Sequence, residues 1–390
     1  MQIVMCIACA RPIGSQRQAV ALGAASSATP ALGSIRFAGV SGWAVRGVDL
    51  PFGHEPKSWW VDEIGMRHDQ PIVDADPLPG GYVLAGLVDA HSHPAVALGP
   101  TGPLALDEQA TRTNLIAWAE RGITLVRDVG SPGGVTLNLI IAPGLPSVRA
   151  AGRFLAPGGR YFPALLMEPV EESELLAAAL QELARGASWV KVIADFPHMP
   201  DFTDVAPTYP VELISRLCRA VHDAGGRVAA HTGLADTGRL ISAGVDSIEH
   251  GQGLDAEAVK EMARHGTAWT PTLCALLEGP ARSELSPERR QQVEEIRSRF
   301  AELLPLAVRL GVPVLAGTDV VGSLPREVAL LAEMGLEPSD ALAAASEWPR
   351  RFIVGDEVRA DIVTYEHDPR EDSMQLAHPV AVVVGGQRLR

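Results

Sequence analysis

Short apolar runs, broken every few positions by Gly, Pro or Asp, occupy the chain from Ser34 to about Leu84. Ile35-Arg36-Phe37-Ala38-Gly39-Val40, Trp43-Ala44-Val45, Trp59-Trp60-Val61 and Pro71-Ile72-Val73 have the length and punctuation of strands. The same texture returns in Ala360-Asp361-Ile362-Val363-Thr364-Tyr365 and Val380-Ala381-Val382-Val383-Val384, after which Gly385-Gly386 supplies a hairpin turn. Two β-rich ends around a different middle predict one small β-sandwich built from both chain ends. Residues 34–85 are its first part and residues 354–390 its second.

In the middle the pattern alternates. Strand-like runs fall at 123–128, 147–151, 189–194, 227–231, 245–250, 267–272 and 312–319. Helical spacing separates them: Leu175, Leu176, Ala179 and Leu183 share one face of a helix over 171–185, and 211–224 is similar. Ser286-Pro287-Glu288 places an N-cap, a first-turn proline and an acid in order, and Gly311 ends the helix that follows. Counting the run before His91, eight β units alternate with helices over roughly 265 residues, the arithmetic of a (β/α)8 TIM barrel. The fold class is therefore α/β, with the barrel over 86–353 and no solenoid-type repeat.

Residues 1–33 fit neither pattern. The apolar start has no positive region before it, and 21–34 is rich in Ala, Ser and Gly, so a disordered N-terminal extension is expected there. No run is long enough to span a membrane.

Composition bounds the partners. Of 390 residues, 47% are hydrophobic and 21% charged, which suffices for a large buried core. The net charge of −14 argues against nucleic acid or an anionic membrane and leaves a small-molecule substrate, acted on by a monomer or a homo-oligomer. Cys218 and Cys274 lie in apolar segments as buried thiols, and Cys6 and Cys9 form a solitary CxxC, a usage that suits a reducing cytoplasm.

Candidate chemistry gathers where a barrel would place it, at the C-terminal ends of the strands. The first ends in Leu87-Val88-Asp89-Ala90-His91-Ser92-His93, and alternation puts His91 and His93 on one face, half of a metal site. The fourth strand carries Lys191, the fifth ends in His231, the sixth in His250 and the eighth in Asp319. A lysine inside an apolar strand is costly as a bare ammonium. As a neutral amine it can add carbon dioxide and become a carbamate, an anion whose two oxygens can bridge two metal ions.

These residues resemble the amidohydrolase superfamily, in particular its imidazolonepropionase-like branch with metal-dependent Xaa-Pro and Xaa-Arg dipeptidases. The resemblance spans roughly 34–390 and rests on Gly86-Leu87-Val88-Asp89-Ala90-His91-Ser92-His93, Gly122-Ile123-Thr124-Leu125-Val126-Arg127-Asp128-Val129-Gly130, Lys191, His231, Glu249-His250-Gly251 and Gly317-Thr318-Asp319. It implies that His91, His93 and Asp319 hold one divalent ion, that His231 and His250 hold the other, and that a carboxylated Lys191 and a hydroxide bridge them. Zinc is the expected metal. It further implies that Asp319 takes the hydroxide's proton and passes it to the leaving nitrogen, with Thr318 as a supporting partner.

The loops that would line a substrate depart from the dipeptidase pattern. They read Ala194-Asp195-Phe196-Pro197-His198-Met199-Pro200, Thr232-Gly233-Leu234-Ala235 and Gly158-Gly159-Arg160-Tyr161-Phe162. Arg160 is a candidate clamp for a carboxylate, and Tyr161, His198 and Tyr209 are candidate hydrogen-bonding partners of an amide. The expected function is a binuclear hydrolase of an amide C–N bond, in a dipeptide, an N-acyl amino acid-like compound or a cyclic amide. The alternatives are a mononuclear deaminase, disfavoured by the lack of an acid after His231, and a non-catalytic scaffold, disfavoured by six intact ligand positions.

Overall fold

The computed structural model describes residues 42–390 apart from 69, 101, 140–143, 235–236, 280–284 and 358–359. The expected extension over 1–33, Cys6, Cys9 and the strand expected at 35–40 lie outside the described residues.

The chain opens with β1 (Trp43–Asp49), β2 (Pro56–Val61), β3 (Met66–His68), β4 (Asp76–Pro77) and β5 (Tyr82–Leu84). The central part follows with β6 (Leu87–Ser92), a hairpin of β7 (Val96–Gly99) and β8 (Gly102–Ala105), α1 (Glu108–Ala119), β9 (Ile123–Asp128), β10 (Ser147–Ala150) and β11 (Phe154–Leu155). Next come α2 (Leu175–Ala184), β12 (Trp189–Ile193), a hairpin of β13 (Asp195–His198) and β14 (Thr203–Pro207), α3 (Val211–Asp223), β15 (Arg227–Thr232), α4 (Thr237–Ser242) and β16 (Ser247–His250). Then follow α5 (Ala256–His265), β17 (Ala268–Thr270), α6 (Pro287–Arg309), α7 (Leu324–Glu333), α8 (Pro338–Ala343) and α9 (Glu347–Val354). The chain returns to β structure in β18 (Ile362–Tyr365), β19 (Ala381–Val384) and β20 (Gln387–Arg388).

Both ends of the chain do share a sheet. Its order is β20-β19-β18-β5-β1-β2-β3, with β4 alongside β1. Alternation gives it two faces. Val45, Val61, Val83, Ile362 and Val383 form a local core on one, while Leu84, Val363, Tyr365, Val382 and Val384 join the main core on the other. Gly385 and Gly386, both at positive φ, turn β19 into β20.

The central strands run parallel in a TIM-barrel-like α/β arrangement. β6 pairs with β9, β9 with β10, β11 with β12, β12 with β15, β15 with β16, and β16 with β17. The segment around residues 313–319 links the two ends of this series. Trp269 N–H donates to Pro313 O at 2.9 Å, Ala90 N–H to Ala316 O at 2.9 Å, and Asp319 N–H to His91 O at 2.8 Å. Gly317 allows that approach, because a Cβ there would stand 2.4 Å from the His91 Cβ.

Some expected elements change shape. The segment expected as a strand at 312–319 makes only isolated bridges, Trp269 with Val314 and Ser92 with Asp319. The strand expected at 147–151 forms as β10, and a further short strand, β11, follows Gly152, where a Cβ would meet the Glu182 carboxylate, itself paired with Arg153 and Arg185. The helix expected over 171–185 begins only at Leu175. The helix expected after Ser286 forms as read: Ser286 accepts from Arg289 N–H at 3.2 Å, and Pro287 opens it. No helix among the described residues is long and apolar enough to cross a membrane.

Candidate metal centre

His91, His93, Lys191, His231, His250 and Asp319 line one narrow cavity of about 20 Å³. The ligand atoms of His91, His93 and Asp319 all lie within 4.8 Å of one another. His93 Nε2 is 3.6 Å from Asp319 Oδ1. The His231 and His250 rings are 4.5 Å apart at their centroids, and His91 is 4.9 Å from His250. Alternation explains His91 and His93. It does not explain His250 or Asp319, whose neighbours Glu249 and Thr318 are also buried. Both sit in the left-handed backbone region, at φ 68° and 56°, as does Thr272 at 48°. Strain of this kind is held in place by surrounding contacts and collects at functional sites.

Hydrogen bonds orient the imidazoles. His91 Nδ1–H donates to Glu249 Oε2 at 2.6 Å, and His93 Nδ1–H to Gly130 O at 2.8 Å. The Thr272 hydroxyl donates to Pro271 O and therefore accepts from His250 Nδ1–H at 2.7 Å. In each ring the proton is committed to Nδ1, and Nε2 keeps its lone pair. Burial lowers the pKa of His91, His93 and His250, and pushes His231 down to about 3. Neutral imidazoles, a carboxylate and a lysine amine around one cavity make a donor set that fits divalent cations.

Behind this layer is a second one, of which sequence reasoning named Thr318 and missed the rest. Glu249 accepts from Arg127 Nη2 at 2.9 and 3.2 Å and from Ser247 Oγ at 2.6 Å. Asp128, pushed up to about 7 by burial, lies 4.0 Å from His93 Nδ1 and accepts from Gly130 N–H at 3.1 Å. Asp195, raised by burial to about 6, gathers Thr232 Oγ1 and the Gly233 and Leu234 N–H groups, and so pins the loop after His231. Thr318 donates its hydroxyl to Asp89 at 2.6 Å, tying the segment around 313–319 to β6. One signal was available: in Ser247-Ile248-Glu249 alternation puts two polar residues inward, facing Arg127 at the end of a fully buried β9.

The expected substrate contacts fare differently. Tyr161 is buried and lines the cavity. Tyr209 does not; its hydroxyl donates to Val170 O at 2.6 Å inside the main core. Arg160 is also corrected, because its Nη1 donates to Phe196 O at 3.1 Å and Asp204 O at 2.7 Å and so ties loops together. His198 is exposed on β13, beside Gly159 and away from the cavity lining. In all three cases the loop backbone offers acceptors or packing that loop composition does not reveal.

A TIM-barrel-like fold with buried histidines and an aspartate at its strand ends defines a metal-dependent hydrolase class. The chain belongs to the amidohydrolase family, whose profile matches residues 82–354, and it is a metal-dependent hydrolase acting on carbon–nitrogen bonds. Uncharacterised proteins of Mycobacterium tuberculosis and Mycobacterium bovis are each 36% identical to it over 359 residues, covering 88% of this chain and 94% of theirs. Among solved structures, a Xaa-Pro dipeptidase with bound methionine in the active site matches with a TM-score of 0.73 at 23% identity, covering 90% of this chain and 100% of that one. An Aspergillus niger ochratoxinase matches with a TM-score of 0.74 at 19% identity, covering 90% and 96%. At these identities the likeness to the solved structures is one of fold.

Proposed function

We propose that the protein is a binuclear metallohydrolase that cleaves the amide C–N bond of a small molecule on a closed (β/α)8 barrel. The described residues of 86–353 form the barrel, and those of 42–85 with 354–390 form its companion β domain. The observation that supports this most is the meeting of His91, His93 and Asp319 within 4.8 Å, in the cavity that Lys191, His231 and His250 also line.

In this reading His91, His93 and Asp319 would hold one divalent cation and His231 and His250 the other, with Lys191, as its carbamate, serving as a further ligand. Imidazole and carboxylate ligands suit zinc. Two bound cations supply Lewis acidity toward the scissile carbonyl and an activated water. The chain's own groups do the rest. Glu249, Gly130 and Thr272 hold the rings of His91, His93 and His250 by Nδ1 and keep each Nε2 available. Asp319 takes up a proton at a carboxylate oxygen and delivers it to the leaving nitrogen.

Metal analysis tests the reading: about two ions per chain are expected, and a chelator should abolish amide hydrolysis that zinc restores. One ion per chain would point to a mononuclear enzyme, and none would overturn the proposal. Asp319→Asn should keep most of the metal while turnover falls by on the order of 10²-fold or more, the scale of a lost general base. Near-normal turnover would remove Asp319 from proton transfer.

A further inference from the structure

Beside the ligand cluster, the rest of the cavity lining is apolar and half aromatic. Tyr161, Phe162 and Phe196 line it with Leu165 and Val320. Phe154 stands behind, its ring 5.5 Å from His93 and 4.8 Å from Tyr161. Phe196 reaches the other half of the cluster, 5.5 Å from His231, and packs edge-on against Tyr161 at 5.0 Å and Phe162 at 5.2 Å. One aromatic group therefore borders both halves of the site.

Among the described residues, the lysine, arginine and acidic side chains that line the cavity are Lys191 and Asp319, both inside the ligand cluster. Arg160, the nearest candidate for a carboxylate clamp, spends its Nη1 on two backbone carbonyls. A substrate carboxylate pressed against Tyr161, Phe162 and Phe196, away from the ligand cluster, would be stripped of water with no cationic side chain of the described wall to meet it, and such burial is unfavourable. An aromatic or branched apolar group gains from the same contact.

From this wall we infer that the substrate is a neutral amide with an apolar group, aromatic or branched, beside the scissile bond and no carboxylate next to the scissile nitrogen. The inference rests on the amide-hydrolase reading above and narrows it away from dipeptides and N-acyl amino acids. The cavity of about 20 Å³ is smaller than such a group. Phe196 stands on the β13–β14 hairpin, whose register shifts between Phe196 and His198. Asp195 at its base stays tied to Thr232 and Gly233.

A matched pair of probes isolates the carboxylate. N-phenethylbenzamide and N-benzoylphenylalanine differ only by that group, and Leu-Pro serves as a dipeptide control. With the zinc-loaded enzyme, kcat/KM for N-phenethylbenzamide should exceed that for N-benzoylphenylalanine by about tenfold or more, the penalty of one unpaired buried charge. Phe196→Ala should lower the rate on the neutral amide more than on the acid. Phe196→Leu, which keeps an apolar side chain, should retain most of it and guards against a folding defect. Val320→Arg, at a half-buried wall position, should move the ratio toward the acid. An equal or reversed ratio in the parent enzyme, or cleavage of Leu-Pro alone, overturns the inference and leaves amide hydrolysis standing. Failure to cleave any of the three by protein carrying its metal overturns both.

Discussion

On the binuclear proposal, alanine at position 191 should abolish binding of the paired metal ions, and a short carboxylic acid should return part of the metal and part of the activity. Lys191 sits in β12 at 1% exposure, flanked in the sheet by Phe154 and Ala229. After burial itself, its positive charge is among the causes that lower the pKa values of His91, His93, His231 and His250. A permanent ammonium there would oppose every cation the histidines could bind. A neutral amine that adds carbon dioxide and releases a proton becomes an anion instead, and the opposition turns into support. Lys191→Ala removes that anion and leaves space about the size of formate, acetate or propionate. Turnover should fall by more than about 100-fold, beyond the range for losing an outer-shell partner of a ligand. Each of the three acids should then recover some of it, and Asp319→Asn should show no such recovery. Metal loading of the parent protein should also fall in buffer depleted of carbon dioxide. Full metal content and normal turnover in Lys191→Ala would make Lys191 an ordinary interior lysine.

Methionine at position 127 should cost both stability and metal affinity. Arg127 is fully buried, donates to Glu249, Thr270 and Ala90 O, and lies 4.6 Å from the Trp189 ring. Its partner Glu249 is equally buried and holds His91 Nδ1 at 2.6 Å. Removing one member of such a pair strands the other charge, an effect of about 3–5 kcal/mol. A lower Tm and a smaller denaturant midpoint should report it. The stranded Glu249 also serves His91 less well, so zinc affinity should drop about 10–100-fold. The double variant Arg127→Met/Glu249→Gln removes both charges. It should recover much of the stability and little of the zinc affinity, which separates the fold's need for the pair from the site's. Equal recovery of both would reduce the pair to a purely structural role.

The fold was legible because it follows from periodicity. Strand-like runs alternating with helical spacing could be read from single residues, and ligand-type side chains stood at the ends of those runs. His91, His93, Lys191, His231, His250 and Asp319 were all found this way, and all line one cavity. The short strand β11 beyond Gly152 was not legible, because the Glu182 carboxylate that packs against Gly152 arrives from α2. Loop residues were read least well. Arg160 and Tyr209 have the right chemistry for substrate, but Phe196 O, Asp204 O and Val170 O take up their donors.

The chain's own pattern of apolar and polar residues thus determined the TIM-barrel-like class of fold and which ligand-type side chains stand at or near the ends of its strand-like runs. Tertiary structure decided how those side chains are aimed. A period of two places Glu249 and His250 on opposite faces, yet positive φ at His250 turns both inward, one behind the metal centre and one within it. The tautomers of His91 and His93 were settled by Glu249 and Gly130, which are 158 and 37 residues away in sequence. The physical reason is one of range. Periodicity is a local property that assigns a residue to a face, whereas a hydrogen-bond partner or a strained dihedral is fixed only when distant strands close around the same point.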